Sequence, residues 1–95
     1  MRLDLSQEAL CDLDDILRYS VNQWGVDRAF EYQSEIDSRM NALADGTLSG
    51  LTAESIGVDL RRLVSGSHVI WFRVEGDALR IVRVLHSSRD AGRWV

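Results

Sequence analysis

The sequence predicts an α+β domain of order βααβββ, with an N-terminal helical hairpin packed on one face of a small antiparallel sheet. Three observations carry this reading. Apolar residues recur at three- and four-residue steps through two long stretches of the first half, the period of an amphipathic helix. The last third holds two apolar runs, His68–Val74 and Leu79–His86, on either side of a Gly76-Asp77 pair, a strong local signal for a tight β-hairpin. Finally, 95 residues suffice for one core and little more. Residues 1–95 are therefore expected to form a single domain.

Each element has its own local cause. Arg2-Leu3-Asp4-Leu5 alternates and predicts a short strand, at a sheet edge or paired into the sheet. Ser6 is a good N-cap, and Glu8 falls in the first turn, where the helix dipole favours an anion. Ala9, Leu10, Leu13, Ile16, Leu17, Val21 and Trp24 then form one apolar stripe, and Gly25 ends the helix. A second helix is expected from Val26 or Asp27 to Leu43 or Ala44, with Ala29, Phe30, Ile36, Met40 and Leu43 buried. The very short connection makes the two helices antiparallel neighbours. Asp45 to Gly57 reads as a surface loop, Val58 to Val64 as a strand and Ser65-Gly66-Ser67 as a turn into the terminal hairpin.

Composition narrows the function classes. No apolar run approaches the ~20 residues that span a bilayer, and Met1-Arg2-Leu3-Asp4 does not begin a signal peptide. The single cysteine, Cys11, cannot form an internal disulfide and suits a reducing cytoplasm, which is the expected location. Three carboxylates follow Cys11 within four residues, a setting unlike that of a reactive thiol.

Charge is unevenly placed. Residues 1–54 carry eleven acids and four arginines, whereas residues 55–95 carry four acids and seven arginines, and there is no lysine. The whole chain has a net charge of −4 and an isoelectric point near 5.0, so no global field draws it to nucleic acid. The arginine-bearing C-terminal part could still dock an acidic peptide.

A two-residue Gly76-Asp77 loop fixes the hairpin register. Val74 then pairs with Leu79, Phe72 with Ile81 and Ile70 with Arg83, which places a core face against the helices. The opposite face has Arg73 against Arg80, Trp71 against Val82 and Val69 against Val84, with His86 at its tip. An apolar centre rimmed by opposed cations predicts an open groove for an acidic, amphipathic partner. The alternative is that Trp71 is covered by the loop or by the C-terminal tail, for example by Trp94.

The residues offer little catalytic chemistry. His68 and His86 lie far apart in sequence, toward opposite ends of the paired strands, and Cys11 is on a distant helix, so no metal site is expected. No glycine-rich loop followed by lysine is present to cradle a nucleotide, and no cofactor is expected. Ser65, Ser67, Ser87 and Ser88 are explained by turns rather than by a nucleophilic triad.

Gly66-Ser67-His68 leading into Phe72-Arg73, then Arg83-Val84-Leu85-His86 and Asp90, with Trp24-Gly25 and Ala29 upstream, resembles the ParE toxins of the ParE/RelE superfamily. Two departures are visible. Phe72 stands where the family often has tyrosine, and Ser88-Arg89-Asp90 replaces an Arg-Met-Asp type of ending. The resemblance implies the toxin half of a type II toxin–antitoxin system. Such a toxin is neutralised by a ParD-like antitoxin and blocks replication by inhibiting DNA gyrase, without chemistry of its own. It implies no sequence-specific nucleic-acid binding and no membrane partner. The expected antitoxin contacts are Val69, Trp71, Arg73, Arg80, Val82 and Val84.

Two alternatives stand beside this. One is a non-toxic interaction module of the same fold. The other is a RelE-like ribosome-dependent mRNA endoribonuclease, for which Arg61, Arg73, Arg80 and His86 are the available groups. Arginine cannot act as the base, since its guanidinium stays protonated at any physiological pH, so His86 would have to. The RelE group is strongly basic and often ends in a C-terminal tyrosine. This chain is acidic and has Trp94 there, which favours ParE and no catalytic residue.

Overall fold

The computed structural model describes residues 1–52, 59–89 and 93, with backbone alone at 51 and 52. The expected start of a strand at Val58 and the tail residues Asp90 and Trp94 lie outside the described residues. Strand β1 spans Arg2–Leu5, helix α1 Gln7–Trp24 and helix α2 Val26–Asp45. Strands β2 (Leu51–Thr52), β3 (Arg61–Ser65), β4 (His68–Glu75) and β5 (Ala78–His86) follow. They make one five-stranded sheet of order β1-β5-β4-β3-β2.

The sheet is mixed rather than purely antiparallel. β1 runs parallel to β5, with Arg2 opposite Ala78 and Leu5 opposite Ile81, while the other neighbours are antiparallel. Parallel neighbours need a long crossover, and here both helices and three strands supply it. The β2 pairing, Leu51 with Arg62 and Thr52 with Arg61, falls inside the stretch expected to be loop.

Helix α1 is capped as its sequence predicts. The Ser6 hydroxyl accepts from Ala9 N–H at 3.0 Å and also donates to the Val82 carbonyl at 2.7 Å. One serine thus ends β1, starts α1 and binds the sheet. Gly25 closes α1 with φ +86°, its N–H donating to the Val21 carbonyl, and opens α2 directly. Ala9, Leu13, Ile16, Ile36, Met40 and Leu43 of the hairpin bury against Ile70, Phe72, Leu79, Ile81 and Val84 of the sheet. Leu10, Trp24 and Phe30, expected in the buried stripes, are exposed. Phe30 follows the fully buried Ala29, and one helical step turns a side chain away by roughly 100°.

Both hairpin turns put glycine first. Gly66 and Gly76 have φ of +59° and +61°, while Asp77 does not adopt positive φ, as a glycine-first two-residue loop requires. From this turn the predicted register holds for Val74–Leu79, Arg73–Arg80 and Phe72–Ile81. A β-bulge then shifts it by one residue, so Trp71 faces Arg83, Ile70 faces Val84, Val69 faces Leu85 and His68 faces His86.

The bulge has a cause on the far edge of β5. β1 ends opposite Ile81, and α1 takes over the edge from there. Ser6 Oγ binds the Val82 carbonyl, and the Asp12 carboxylate accepts Val84 N–H at 3.0 Å. The same carboxylate grips Arg83 through two bonds of 2.8 and 2.7 Å. Residues 82–84 of β5 thus hydrogen-bond to the helix where β1 no longer supplies a partner.

Candidate functional site

The outer face of the terminal hairpin keeps its arginines but is not an open groove. Arg73 and Arg80 stand directly opposite one another, each half-buried, with Arg80 reaching toward Asp4 at 3.9 Å. Like charges opposed across a strand pair cost stability unless something anionic relieves them. Arg62, exposed and opposite Trp71, adds a third cation to this face. The apolar centre is covered: Trp71 is 5%, Val69 7% and Leu85 4% exposed, packed with the fully buried Leu60 and flanked by half-buried Val82. Leu60, just before β3 and within the stretch expected to be strand, packs on this centre.

Val84 does not belong to this face. The bulge turns it into the core beneath the helices, 2% exposed, and Leu85 takes the place expected for it beside Val69. No feature of composition marks the bulge. The residues that follow it on β5 are bonded to Asp12, a long-range contact.

The same register shift creates a second site that the sequence did not reveal. His68 and His86, expected toward opposite ends of the strands, face each other with ring centroids 5.5 Å apart and planes at 87°. His86 therefore lies on the helix-side face, not on the outer one. Tyr32 of α2 completes the cluster. Its hydroxyl accepts from Ser67 N–H at 3.0 Å and lies 2.5 Å from His68 Nδ1. Gly66 leaves the space for the Tyr32 ring, because a Cβ there would sit 2.6 Å from it. Trp24 packs edge-on against Tyr32 at 5.5 Å, with the Arg28 guanidinium 5.7 Å over its ring.

A cleft of about 340 Å³ opens between this cluster and α1, with Asp12, Asp15, Tyr19, His68, His86 and Arg89 as its polar wall. Its floor is aliphatic, formed by Ile16, Val84 and Leu85. Asp12 and Arg83 form a bidentate pair at its base, with side chains 11% and 17% exposed. The Asp12 carboxylate holds the Arg83 pKa above its ordinary value through that hydrogen bond, against the opposing effect of burial. Burial, with His86 beside it, pushes the His68 pKa below 6.5.

The groups considered for RNA cleavage do not converge. Arg73 and Arg80 flank the turn, whereas His86 closes the far end of β5, six residues or roughly 20 Å along the strand from Arg80. Arg61 is exposed on β3 opposite Phe72. Among the described residues no cluster of three or more His, Cys, Asp or Glu could hold a metal ion.

A two-helix hairpin over a mixed sheet ending in a bulged β-hairpin makes this a small α+β protein, and that fold recurs among toxins of toxin–antitoxin systems. The chain superposes on one from a chromosomal ParDE toxin–antitoxin system of P. aeruginosa with a TM-score of 0.78, at 24% identity, covering 90% of this chain and 95% of that one. A mutant of YafQ from E. coli shares the fold more loosely, with a TM-score of 0.57 at 14% identity over 93% and 96% of the two chains. Residues 3–91 match the family described as the ParE toxin of the type II toxin–antitoxin system parDE, and the chain belongs to that family. It is 41% identical over 87 residues to Toxin ParE1 of Caulobacter vibrioides, covering 92% of this chain and 90% of that protein. It is 33% identical over 90 residues to Toxin ParE1 of Mycobacterium tuberculosis, covering 94% and 92%.

Proposed function

We propose that this ParE-family toxin is held inactive by a ParD-like antitoxin and, once released, stops growth by inhibiting DNA gyrase in the cytoplasm. The likeness to Toxin ParE1 of C. vibrioides, 41% identical across nearly the full length of both chains, carries this reading. An acidic segment of the antitoxin is expected across the outer hairpin face. There Arg73 and Arg80 gain the carboxylates that relieve their repulsion, and Val82 offers half-buried apolar surface between them and the covered centre. Val69 and Trp71 support that face from beneath rather than forming an exposed anchor.

Inhibition by binding fits the geometry better than RNA cleavage. Ser88 N–H donates to His86 Nδ1 at 3.1 Å, and a backbone N–H can only donate. In neutral His86 the proton is then on Nε2, leaving that nitrogen no lone pair with which to take a proton from a ribose hydroxyl. The test is induction of the toxin with and without a ParD-like antitoxin, followed by assay of purified toxin on gyrase supercoiling. Growth arrest relieved by the antitoxin, together with loss of supercoiling, is expected. Growth arrest with unaltered gyrase would remove gyrase as the target.

A further inference from the structure

The paired histidines at the open end of the hairpin lie on the helix-side face, away from the outer face proposed for the antitoxin. His86 Nδ1 accepts from Ser88 N–H and contacts Ser88 Oγ at 2.8 Å. His68 Nδ1 lies 2.5 Å from the Tyr32 hydroxyl, whose own acceptor site is taken by Ser67 N–H. The Tyr32 hydroxyl also donates to the Ser65 carbonyl at 3.4 Å, a longer contact than the one to His68. The Ser88 N–H sets neutral His86 as a donor through Nε2, and neither histidine's Nε2 has a hydrogen-bond partner among the described residues. Metal ligation through Nε2 would need the opposite tautomer, with Nδ1–H donating.

Both histidines line the 340 Å³ cleft together with Tyr19 and Arg89. The carboxylate of Asp12 is occupied by Arg83 and by Val84 N–H, so it does not oppose an anion as a free charge would. Asp15 is the exposed carboxylate of the wall, and Arg89 lines the same cleft. The two imidazole planes meet at 87°. A planar carboxylate is matched by the coplanar fork of an arginine, a geometry that two rings at 87° do not offer.

We propose that the cleft formed by His68, His86, Tyr19 and Arg89 binds a phosphate-class oxyanion through the two imidazole Nε2–H donors. Binding through Nε2–H uses the neutral ring of His86 and leaves its Nδ1 bond from Ser88 N–H in place. Among the described residues, the charged and titratable groups facing the pair are Asp12, Asp15 and Tyr19 from α1, Tyr32 from α2, and Arg89 beyond β5.

The chain contains only two histidines, so their ring Cε1–H signals can be followed directly by proton NMR. Inorganic phosphate is titrated into the full chain at pH 6.5 and constant ionic strength, beside parallel titrations with chloride and acetate. Both signals should move saturably with phosphate, and acetate should bind more weakly. Losing one charge-assisted donor in His86→Ala should weaken phosphate binding about tenfold, with the amide spectrum reporting that the fold is intact. Asp15→Asn should tighten it. Shifts of equal size with chloride, equal affinity for acetate, or phosphate affinity unchanged in folded His86→Ala would each overturn the proposal. None of these outcomes depends on whether gyrase is the target.

Discussion

Two glycines show how much a single position can carry. Gly66 and Gly76 occupy the same place in consecutive hairpin turns, with φ of +59° and +61°. Alanine at either meets the left-handed penalty of about 1–2 kcal/mol. A Cβ at Gly76 meets nothing within 4 Å, whereas at Gly66 it meets the Tyr32 ring at 2.6 Å. Gly66→Ala should therefore lower unfolding free energy more than Gly76→Ala does, in paired denaturant melts. It should also loosen the Tyr32 bond to His68. Equal losses would mean that Tyr32 is free to move aside.

His68 gives the pH dependence. Burial first, then the neighbouring His86, hold its folded pKa below the ordinary 6.5. The unfolded chain therefore binds more protons between the two values. The stability that neutral His68 contributes is fully present above about pH 6.5 and is lost as pH falls through the folded value. Thermal melts should show a midpoint lower at pH 5 than at pH 7.5, with the slope in this window reduced in His68→Gln. A wild-type slope retained in that variant would assign the effect elsewhere.

At the scale of elements, the terminal hairpin was the most legible part of the chain. Gly76-Asp77 fixed the turn, and the core face of Phe72, Leu79 and Ile81 followed from alternation. Alternation could not give what comes after Ile81. There the register depends on Asp12, which lies seventy-one residues before its partner Arg83, and no local period records such a contact. The expected site suffered accordingly. Arg73 and Arg80 are where the sequence put them, while Val84 moved inward, Trp71 was covered by Leu60, and the His68–His86 pair went unforeseen.

Asp12→Ala should show that the bond matters. Removing one partner of a largely buried pair takes the Asp12 carboxylate from Arg83 and Val84 N–H, a loss on the order of 3–5 kcal/mol by denaturant melt. A loss below about 1 kcal/mol would mean that solvent replaces the carboxylate, as at an exposed pair.

The two kinds of residue on the outer face should separate in experiment. Trp71→Ala removes a buried aromatic and should cost about 3–5 kcal/mol of stability, which makes it a probe of folding rather than of binding. Arg80→Gln should leave the thermal midpoint unchanged or slightly raised, since it relieves the repulsion with Arg73 at the expense of a long, half-exposed contact to Asp4. Antitoxin affinity should fall in Arg80→Gln, and the difference from wild type should shrink at high salt. Unchanged affinity at both low and high salt would remove this face from the antitoxin interface.

For the whole molecule, the uneven charge of the sequence becomes a division of labour. The acidic first half supplies the helices, and Asp12 at the base of the cleft ties them to the sheet. The arginine-rich second half supplies the face proposed for the antitoxin. The helices, the terminal hairpin and the α+β class were legible because each announces itself locally, whereas the two-residue β2 was read as loop. The parallel pairing of β1 with β5 was not, because a four-residue strand carries no signal of its direction. The central claim is that this fold acts by binding gyrase and not by cutting RNA. Its most direct test incubates the purified toxin with gyrase and supercoiling substrate, and in parallel with translating ribosomes. Inhibited supercoiling or trapped cleaved DNA, reversed by a ParD-like antitoxin and accompanied by intact mRNA, is the predicted result. Ribosome-dependent mRNA cleavage that disappears in His86→Ala, with gyrase unaffected, would contradict it.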